Sequence, residues 1–430
     1  MKKNRFQLLS GMHDILPDDQ KYFQRVYKSV EGIANFYTFQ KIETPILEDA
    51  EVFYKGTGLD TEIVEKQMYT FRTKGGDLVT LRPEWTPSIA RSYIEHGMQS
   101  LPQPVKLWYY GPCFRYERPQ AGRYRQFNQF GFEVLGEKNS AMDGQIIQMG
   151  YDVLKEMHFK NLVIEINSIG DSECRPYFKK NLSNYLRSRR SSLCPNCQRR
   201  LKQNPLRILD CKEEKCQRIK ANAPQIIDHL CESCHNHFKQ VLEFLEEAEI
   251  PYSLNPYLVR GLDYYTKTVF EIYENTPEGR EQGALMGGGR YDNLVKLLGG
   301  RDTPACGVAG GVERIANVLK TKELNPGKTN EAKIFLAQLG DLAKKKSLKL
   351  LEEFRKTKIA VAESISKDSL KTQLRMANKL GIKYVLIFGQ KEALDGEIVV
   401  RDMDTGIQET FKLGEIAAEM KKKLIVLKNK

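Results

Sequence analysis

The chain has 430 residues, of which 41% are hydrophobic and 28% charged, enough for two or three domains with packed cores. Its net charge of +12 and pI near 9.0 suit a polyanionic partner, without deciding between RNA, DNA and simple solubility. The start, MKKNRFQLLSGMHD, has no apolar core of signal-peptide length, and no apolar run is long enough to cross a bilayer. These features exclude a secreted or membrane-spanning protein, so we expect a cytoplasmic chain with free, metal-bound or buried cysteines.

The first predicted elements are a helix and a strand. Residues 18–36 place Phe23, Val26, Val30 and Ile33 on one face, the pattern of an amphipathic helix. A strand-like segment, 39–42, and the sequence ETPILE, residues 43–48, follow. The proline of that sequence cannot donate to a sheet ladder, so it indicates a sheet edge or a subunit boundary.

Two strands are predicted within residues 68–86, on either side of the Gly75-Gly76 turn. Glu84 and Thr86 come just after the second strand. A carboxylate and a hydroxyl at that position could hold an ammonium group. Taken alone, however, Glu84 fits a solvated loop acid better.

A basic hairpin is predicted next. Residues 107–114 and 127–135 have strand composition, and the connection 117–125 carries Arg118, Arg123 and Arg125. Arginine suits phosphate because its planar fork donates in pairs and stays charged. Glu117 and Phe127 add an acceptor and a flat face that a purine could use, although a plain basic surface hairpin fits the composition equally well.

The segment from Asp171 to Ile250 is predicted to be helical and highly charged, and it follows a helix and a strand at 162–169. It contains two CxxC turns, with Cys211 and Cys216 between them. Because each CxxC turn offers two sulfurs to one ion, a zinc site formed by both turns is one prediction. Several other sets of four thiols, or free thiols in a helical bundle, remain open. The zinc ligands of this prediction are Cys194, Cys197, Cys231 and Cys234.

Three more motifs precede a change in pattern. RGLDYY, residues 260–265, sets Arg260 beside a glycine that allows a tight backbone, and LMGGGRYDNL, 285–294, lets the backbone approach a ligand or a strand. In 305–320 a small-residue strand runs into a helix with Arg314 near its start, where free amides and the helix dipole favour anions.

The polar stretch 321–330 is predicted to be a linker, and strands and helices alternate after it. Strands are expected at 334–339, 359–362, 384–388 and 397–401, with a helix after each of the first two strands and a lysine-rich helix at the end. This pattern predicts a separate α/β domain with a mixed sheet, which any small α/β module would also fit.

The residues FRYE (114–117), the loop RPQAGRYRQF (118–127), Gln129 and Glu133 closely resemble motif 2 of the class II aminoacyl-tRNA synthetases, and within that class the histidyl-tRNA synthetases. RGLDYY and LMGGGRYDNL resemble the two histidine-specific signatures of that family, and 305–320 resembles motif 3. Residues 43–48 resemble motif 1, which builds the family's dimer interface and implies a homodimer.

The resemblance spans nearly the whole chain and implies a fold. Residues 1–325 would form an α+β catalytic domain with an antiparallel sheet, bearing a helical insertion at about 171–250 that leans on the tRNA acceptor arm. Residues 331–430 would form an α/β anticodon-binding domain. The implied reaction joins L-histidine to tRNA through a histidyl-adenylate made from ATP, with Mg²⁺ bridging the β- and γ-phosphates.

The resemblance also implies residue roles. Arg115 and Arg260 would hold the α-phosphate, Arg123 and Arg314 the β and γ end, and Phe127 and Glu117 the adenine. Glu84, Thr86 and Gln129 would bind the ammonium of histidine. Tyr264 and Tyr265 would pack against the imidazole ring. Glu133 and Tyr265 would recognise that ring. Arg118 and Gln120 would meet the extra guanosine at the tRNA end.

Two other functions fit parts of the sequence. A synthetase-like regulatory subunit of ATP phosphoribosyltransferase would sense ligands without catalysis, but it would lack the C-terminal domain and degrade the arginine set. A zinc-bearing RNA-binding protein explains the charge and the cysteines, but it leaves RGLDYY and Arg314 without a purpose.

Overall fold

The structure is a computed structural model that describes residues 6–119, 122–324 and 332–428. Residues 6–324 lie in one compact unit and residues 332–428 in a second. None of the helices in these ranges is long and apolar enough to cross a membrane.

The first unit contains the following strands: β1 (Gln40–Lys41), β2 (Leu47–Asp49), β3 (Tyr69–Arg72), β4 (Leu78–Leu81), β5 (Val105–Phe114), β6 (Gln126–Leu135), β7 (Leu162–Ser168), β8 (Tyr252–Leu254), β9 (Thr266–Glu274), β10 (Met286–Arg290) and β11 (Ala305–Gly311). Its helices are α1 (Pro17–Phe36), α2 (Ala50–Thr57), α3 (Thr86–Glu95), α4 (Ser140–Glu156), α5 (Cys174–Arg187), α6 (Pro195–Gln203), α7 (Glu214–Lys220), α8 (Glu232–Glu247), α9 (Pro277–Gln282), α10 (Leu294–Leu297) and α11 (Val312–Thr321). Single helical turns lie at Ile63–Gln67, Met98–Ser100, Arg190–Ser192, Pro205–Ile208 and Ile226–His229.

The large sheet of this unit has the strand order β1-β5-β6-β11-β10-β9-β7-β8. Every neighbouring pair from β5 to β7 is antiparallel, and only the two edge pairs, β1 with β5 and β7 with β8, are parallel. The predicted antiparallel sheet is therefore confirmed. A smaller antiparallel sheet has the order β2-β4-β3.

The two faces of the large sheet differ: one packs in the main core, and the other carries the candidate site. Because side chains alternate along a strand, Phe130, Phe132 and Val134 of β6 share one face. They are fully buried in the main core, which also takes residues from α1, α4, α8 and α11. Phe127, Gln129 and Glu133 belong to the opposite face, where the candidate site lies.

The helical segment between β7 and β8 divides between two cores. Helix α8 joins the main core through Val241 and Leu245. The preceding segment, with α5, α6 and α7, instead joins a second core on the site face of the sheet, together with residues of α3, β5 and the RGLDYY loop. The insertion is thus packed directly beside the candidate site.

The second unit is an α/β fold. Its elements are β12 (Ile334–Gln338), α12 (Asp341–Lys356), β13 (Val361–Glu363), α13 (Leu370–Lys379), β14 (Tyr384–Phe388), α14 (Gln390–Asp395), β15 (Glu397–Asp402), β16 (Gln408–Lys412) and α15 (Ile416–Lys428). The sheet order β13-β12-β14-β15-β16 is parallel through β14 and antiparallel beyond it, so the predicted mixed sheet is confirmed. The short helix α14 and strand β16 were not predicted.

Candidate active site

The β5–β6 hairpin supplies one wall of the candidate site. The two strands pair from Val105 with Leu135 to Phe114 with Gln126, which confirms the predicted hairpin. On the other side of β6, Gly307 of β11 lies opposite Glu133. A Cβ atom at Gly307 would lie 1.8 Å from Oε2 of Glu133, so only glycine leaves room for this carboxyl.

A cavity of about 420 Å³ opens on this face of the sheet. Residues from several of the segments singled out in the sequence line it, which brings together side chains that are far apart in the chain. The predicted site residues among them are Glu84, Thr86, Arg115, Glu117, Arg123, Phe127, Gln129, Arg260, Tyr264, Tyr265 and Arg314.

Glu84 is held by two hydroxyls. Its side chain is only 3% exposed, and its carboxylate accepts from Thr57 Oγ1 at 2.7 Å and from Tyr264 Oη at 2.8 Å. Burial raises the pKa of Glu84, and the two hydrogen bonds oppose that rise. A cationic group entering the cavity would favour the charged carboxylate.

Glu133 lies behind Thr86 and does not line the cavity in this structure. It accepts from Thr86 Oγ1 at 2.6 Å and from Tyr291 Oη at 2.5 Å. Burial raises the pKa of Glu133 to about 8, and the nearby Glu84 adds to the rise. Carboxyl groups whose pKa is shifted strongly by burial are common at functional sites.

The four arginines that the sequence predicted for the phosphates all line the same cavity: Arg115, Arg123, Arg260 and Arg314. In the described parts of the chain, Arg115 and Arg314 form no ion pair; their guanidinium groups donate to the carbonyls of Pro83 and Ala284. Burial, followed by the nearby Arg123, lowers the pKa of Arg314. Guanidinium groups that face a cavity without an acidic partner, as those of Arg115 and Arg314 do among the described residues, favour an anionic ligand.

Arg260 reaches the cavity from the RGLDYY loop and pairs with Glu271 of β9. The register places Glu271 opposite Gly287 of β10. A Cβ atom at Gly287 would lie 2.7 Å from the Arg260 guanidinium nitrogens, so the glycine run of β10 leaves the space that this side chain occupies. The guanidinium carbon also lies 5.9 Å from the centre of the Tyr265 ring.

Helix α11 aims its N-terminus at the cavity and carries Arg314 in its first turn. Both carboxylate oxygens of Glu313 accept from the Asn128 backbone amide at 2.8 Å, which fixes the helix to β6. Burial raises the pKa of Glu313 to about 7. The strand-to-helix passage predicted for 305–320 is confirmed.

An aromatic face and an acid lie beside these cations. The Arg115 guanidinium lies 5.3 Å from the centre of the Phe127 ring. Glu117 lies 3.7 Å from Nη1 of Arg123. Of the two residues predicted to meet RNA, Arg118 is exposed and does not line the cavity, and Gln120 lies outside the described residues.

Several residues of the site were missed from the sequence. Thr57 and Tyr291 bind the two buried carboxyls, and Glu271 pairs with Arg260. A signal did exist for Glu271, a charged residue inside the apolar run VFEIY. Nothing local marks the insertion residues that also line the cavity, which are Arg200, Arg207 and Asp210.

The predicted zinc ligands need correction, because the two CxxC turns do not meet. The structure instead forms a four-thiol cluster from Cys194, Cys197, Cys211 and Cys216, and a separate Asp171 cluster from Asp171, Cys174, Cys231 and Cys234. Each CxxC turn lies against a different segment: Cys194 and Cys197 against the segment with Cys211 and Cys216, and Cys231 and Cys234 against the segment with Asp171 and Cys174. Cys231 N donates to Cys174 Sγ at 3.1 Å, whereas Cys194 N donates to Cys216 Sγ at 3.3 Å.

Comparisons with known proteins place this geometry in a family. The family model described as histidyl-tRNA synthetase matches residues 11–174 and 179–315, and the model described as anticodon binding domain matches residues 333–423. The histidine--tRNA ligase of Dehalococcoides mccartyi strain BAV1 is 43% identical over 419 residues, which cover 97% of this chain and 100% of that protein. The enzyme of the same name from Caldicellulosiruptor saccharolyticus is 42% identical over 421 residues, with 98% and 100% coverage.

Solved structures agree with the sequence matches. The apo histidyl-tRNA synthetase of S. aureus has a TM-score of 0.81 and 34% identity, covering 96% of this chain and 99% of that one. An ATP phosphoribosyltransferase regulatory subunit/histidyl-tRNA synthetase from Bacillus halodurans has a TM-score of 0.63 at 20% identity, covering 90% and 99%, and so shares the fold alone. On these matches, which run the length of both units, the chain belongs to the histidyl-tRNA synthetase family.

Proposed function

We propose that this chain joins L-histidine to its tRNA in two steps, with histidyl-adenylate as the intermediate. The observation that carries this proposal is one cavity lined by Glu84 and by the four arginines predicted for the phosphates, beside the buried Glu133. A polyphosphate needs the first set of groups, and the ammonium and ring of an amino acid need the second.

In the first step a histidine carboxylate oxygen attacks the α-phosphorus of ATP. A carboxylate–phosphorus bond forms, the bond to the bridging oxygen breaks, and pyrophosphate leaves with that electron pair. No protein base is required, because the carboxylate is already a nucleophile. The barrier lies in bringing two anions together, so positioning and electrostatic stabilisation carry the rate.

Different arginines would bind different parts of the triphosphate. Arg115 and Arg260 would stabilise the charge that develops on the α-phosphate, and Arg123 and Arg314 would hold the β and γ end. Support comes from the fixed position of each guanidinium, because Arg115 donates to the Pro83 carbonyl at 2.9 Å and Arg260 pairs with Glu271. The α11 N-terminus adds backbone amides for an anion.

Adenine would stack on Phe127, with Glu117 near its amino group. Both residues line the cavity beside Arg123. ATP would enter as its Mg²⁺ complex, in which the ion neutralises part of the charge on the β- and γ-phosphates.

Histidine would bind through its ammonium and its ring. Glu84, Thr86 and Gln129 would hold the ammonium, while Tyr264 and Tyr265 would flank the imidazole. Glu133 and Tyr265 would read the ring N–H. Glu133 already accepts from Thr86 and Tyr291, so the ring N–H would use its remaining acceptor capacity. An amino acid without such a donor would leave that capacity unused in a buried site, which penalises its binding.

In the second step a hydroxyl of the terminal adenosine of tRNA attacks the histidyl carbonyl, and AMP leaves. Arg118 and Gln120 would contact the extra guanosine next to that end. The second unit, which matches an anticodon binding domain, would contact the distal part of the tRNA.

A homodimer is the proposed assembly. Ile46 and Leu47 lie in the motif 1 segment, and Phe71 lies in the small sheet that contains it; all three expose more than two fifths of their surface, at 42%, 42% and 47%. Apolar groups exposed together in this way indicate an interaction surface. Sedimentation equilibrium of the intact chain measures the assembly state directly.

The experiment that tests this function is ATP-dependent transfer of labelled histidine to a histidine-accepting tRNA transcript. The proposal predicts label in acid-precipitable RNA that alkali releases, with ATP and intact tRNA both required. A folded chain that binds histidine but transfers none would favour the ligand-sensing regulatory subunit.

A further inference from the structure

The four-thiol cluster is a built site within the insertion. Its members are nearly inaccessible, with exposures of 5%, 0%, 6% and 1% for Cys194, Cys197, Cys211 and Cys216. All four Sγ atoms lie within 4.8 Å of one another, and Cys194 Sγ lies 3.9 Å from Cys211 Sγ.

These distances match a metal-bound tetrahedron. With metal–sulfur bonds of about 2.3 Å, neighbouring sulfurs of a tetrahedral zinc site lie about 3.8 Å apart. The spacing also fits, because Cys194 and Cys197 form a CxxC turn and Cys211 and Cys216 a second close pair. Disulfides, in contrast, need sulfurs about 2.05 Å apart, and all nine cysteines are free.

Backbone amides already point at the sulfurs. Cys197 N donates to Cys194 Sγ at 3.4 Å at the start of α6, and Cys194 N donates to Cys216 Sγ at 3.3 Å. Such donors stabilise thiolate charge and orient the ligands around a metal ion.

We propose that this cluster binds one structural zinc ion through four thiolates: Cys194, Cys197, Cys211 and Cys216. On binding, each thiol releases its proton to solvent, and the metal takes four sulfur electron pairs without a change of oxidation state. Soft thiolates in a tetrahedral arrangement select zinc over the hard ions that accompany ATP.

The zinc ion would fix the part of the insertion that contacts the RGLDYY loop. Between Cys197 and Cys211, Arg207 Nη2 donates to Asp263 Oδ1 at 2.9 Å and to the Gly261 carbonyl at 3.2 Å. Asn204 Nδ2 also donates to Asp263 Oδ1, at 3.3 Å. The ion is therefore a positioning device for the loop that carries Arg260, and its presence is independent of the reaction proposed above.

Elemental analysis of the intact chain, purified without oxygen and freed of loose metal by gel filtration, tests the site directly. We expect the purified chain to contain bound zinc. A thiol-specific mercurial should release this zinc in proportion to the thiols that it titrates. Iron in place of zinc, four freely titrating thiols with no metal, or a disulfide within the cluster would overturn the proposal.

Matched serine variants assign the metal to this cluster. Cys197→Ser should lower the zinc content by one equivalent relative to the unchanged chain. Cys231→Ser, in the Asp171 cluster, should keep the four-thiolate absorption spectrum of the cobalt-substituted protein. If Cys197→Ser does not fold, the cobalt spectrum of Cys231→Ser still decides, because ligands other than four thiolates in that variant would refute the assignment.

Hydrogen exchange tests the positioning role without relying on activity. Removing zinc with a chelator should raise amide exchange in residues 204–211 and 258–265, while amides of the β5–β6 hairpin stay protected. Exchange that rises throughout the first unit, or only around the cysteines, would show that the ion does not position the loop.

Discussion

Arg260 has two candidate roles, one at the α-phosphate and one in holding its own loop. A purely structural role would have it pair with Asp263 or another acid. In the structure Asp263 pairs with Arg207, and Arg260 pairs with Glu271 of β9. Arg260 is therefore held by a neighbouring strand while its guanidinium faces the cavity.

Arg260→His should nearly abolish adenylate formation while the fold stays intact. A neutral, shorter side chain cannot deliver a fixed cation to the pentavalent α-phosphate. Loss of one such contact raises the barrier by about 2.7–4 kcal/mol, or roughly a hundredfold to a thousandfold in rate. Single-turnover kinetics of adenylate formation measure this, and transfer from preformed histidyl-adenylate should fall much less.

Arg280→His is the matched control. Arg280 also pairs with a strand glutamate, Glu165, but it does not line the cavity. It should change adenylate formation little. If Arg260→His reduces activation, transfer and thermal stability together, its catalytic assignment fails.

Glu133→Gln should change how stability depends on pH. The pKa of Glu133 in the folded chain is about 8, above the value of about 4.3 in an unfolded chain. Its stabilising contribution is therefore complete at low pH and is lost as the pH rises through the folded pKa. Glutamine cannot ionise, so the free energy of unfolding of the variant minus that of the unchanged chain should increase with pH between about 4.3 and 8, by up to about 1.4 kcal/mol per pH unit.

Urea unfolding at pH 5, 7 and 9 measures this difference, with tryptophan fluorescence as the signal. Both tryptophans, Trp85 and Trp108, lie in the first unit, so the signal reports on the unit that contains Glu133. If the difference in free energy of unfolding between the two chains stays constant across these pH values, burial does not raise the pKa of Glu133.

At the scale of elements, a buried ion pair joins β10 to α4. Arg290 is 0% exposed, and its Nε donates to Asp143 Oδ2 at 3.0 Å. Arg290 Nη1 also donates to the Glu137 carbonyl at 2.8 Å and to Asp292 at 3.1 Å. The pair fixes the glycine-rich strand against the helix that closes the main core.

Asp143→Ala should lower the free energy of unfolding of the first unit by about 3–5 kcal/mol, because it leaves a buried guanidinium without its main partner. Urea unfolding followed by tryptophan fluorescence measures this. Asp152→Ala, a half-buried carboxyl on the same helix, should stay within about 0.5 kcal/mol. An equal decrease in the free energy of unfolding for Asp143→Ala and Asp152→Ala would show that the Asp143–Arg290 ion pair contributes no specific stabilisation.

Most elements could be predicted from local pattern. Helix α1 starts and ends within one residue of its amphipathic stretch, and the β5–β6 hairpin matches its two apolar runs to within two residues. The predicted strand at 39–42 is shorter in the structure, because its ladder with β5 includes only Gln40 and Lys41, although Ile42 N still donates to the Trp108 carbonyl at 2.9 Å. Strand β16 has an exposed, polar composition that gives no strand signal.

Only the site residues that belong to a recognisable motif could be predicted from the sequence. Glu84, Gln129 and the arginines stand in motifs, so their convergence was expected. The partners Thr57 and Tyr291 depend on tertiary packing that no local pattern records. The same limit explains the cysteines: two CxxC turns look like one site in sequence, but each lies against a different segment in the fold.

At the scale of the whole molecule, deleting residues 331–430 should spare adenylate formation more than tRNA charging. Among the described residues, the two cores of the first unit consist of residues before 325, so this unit has hydrophobic cores of its own. Charging needs distal RNA contacts, which should also be salt-sensitive. Pyrophosphate exchange and aminoacylation assays on the truncated chain check this, and equal loss of both activities in a folded truncation would contradict it.

In the proposed function, one cavity selects histidine and activates it with ATP. Amino-acid-dependent exchange of labelled pyrophosphate into ATP, run with each of the twenty amino acids in turn, measures both properties at once without tRNA. We expect exchange with histidine and only background exchange with the others. Failure of histidine to support exchange in the folded chain, or equal exchange with another amino acid, would contradict it.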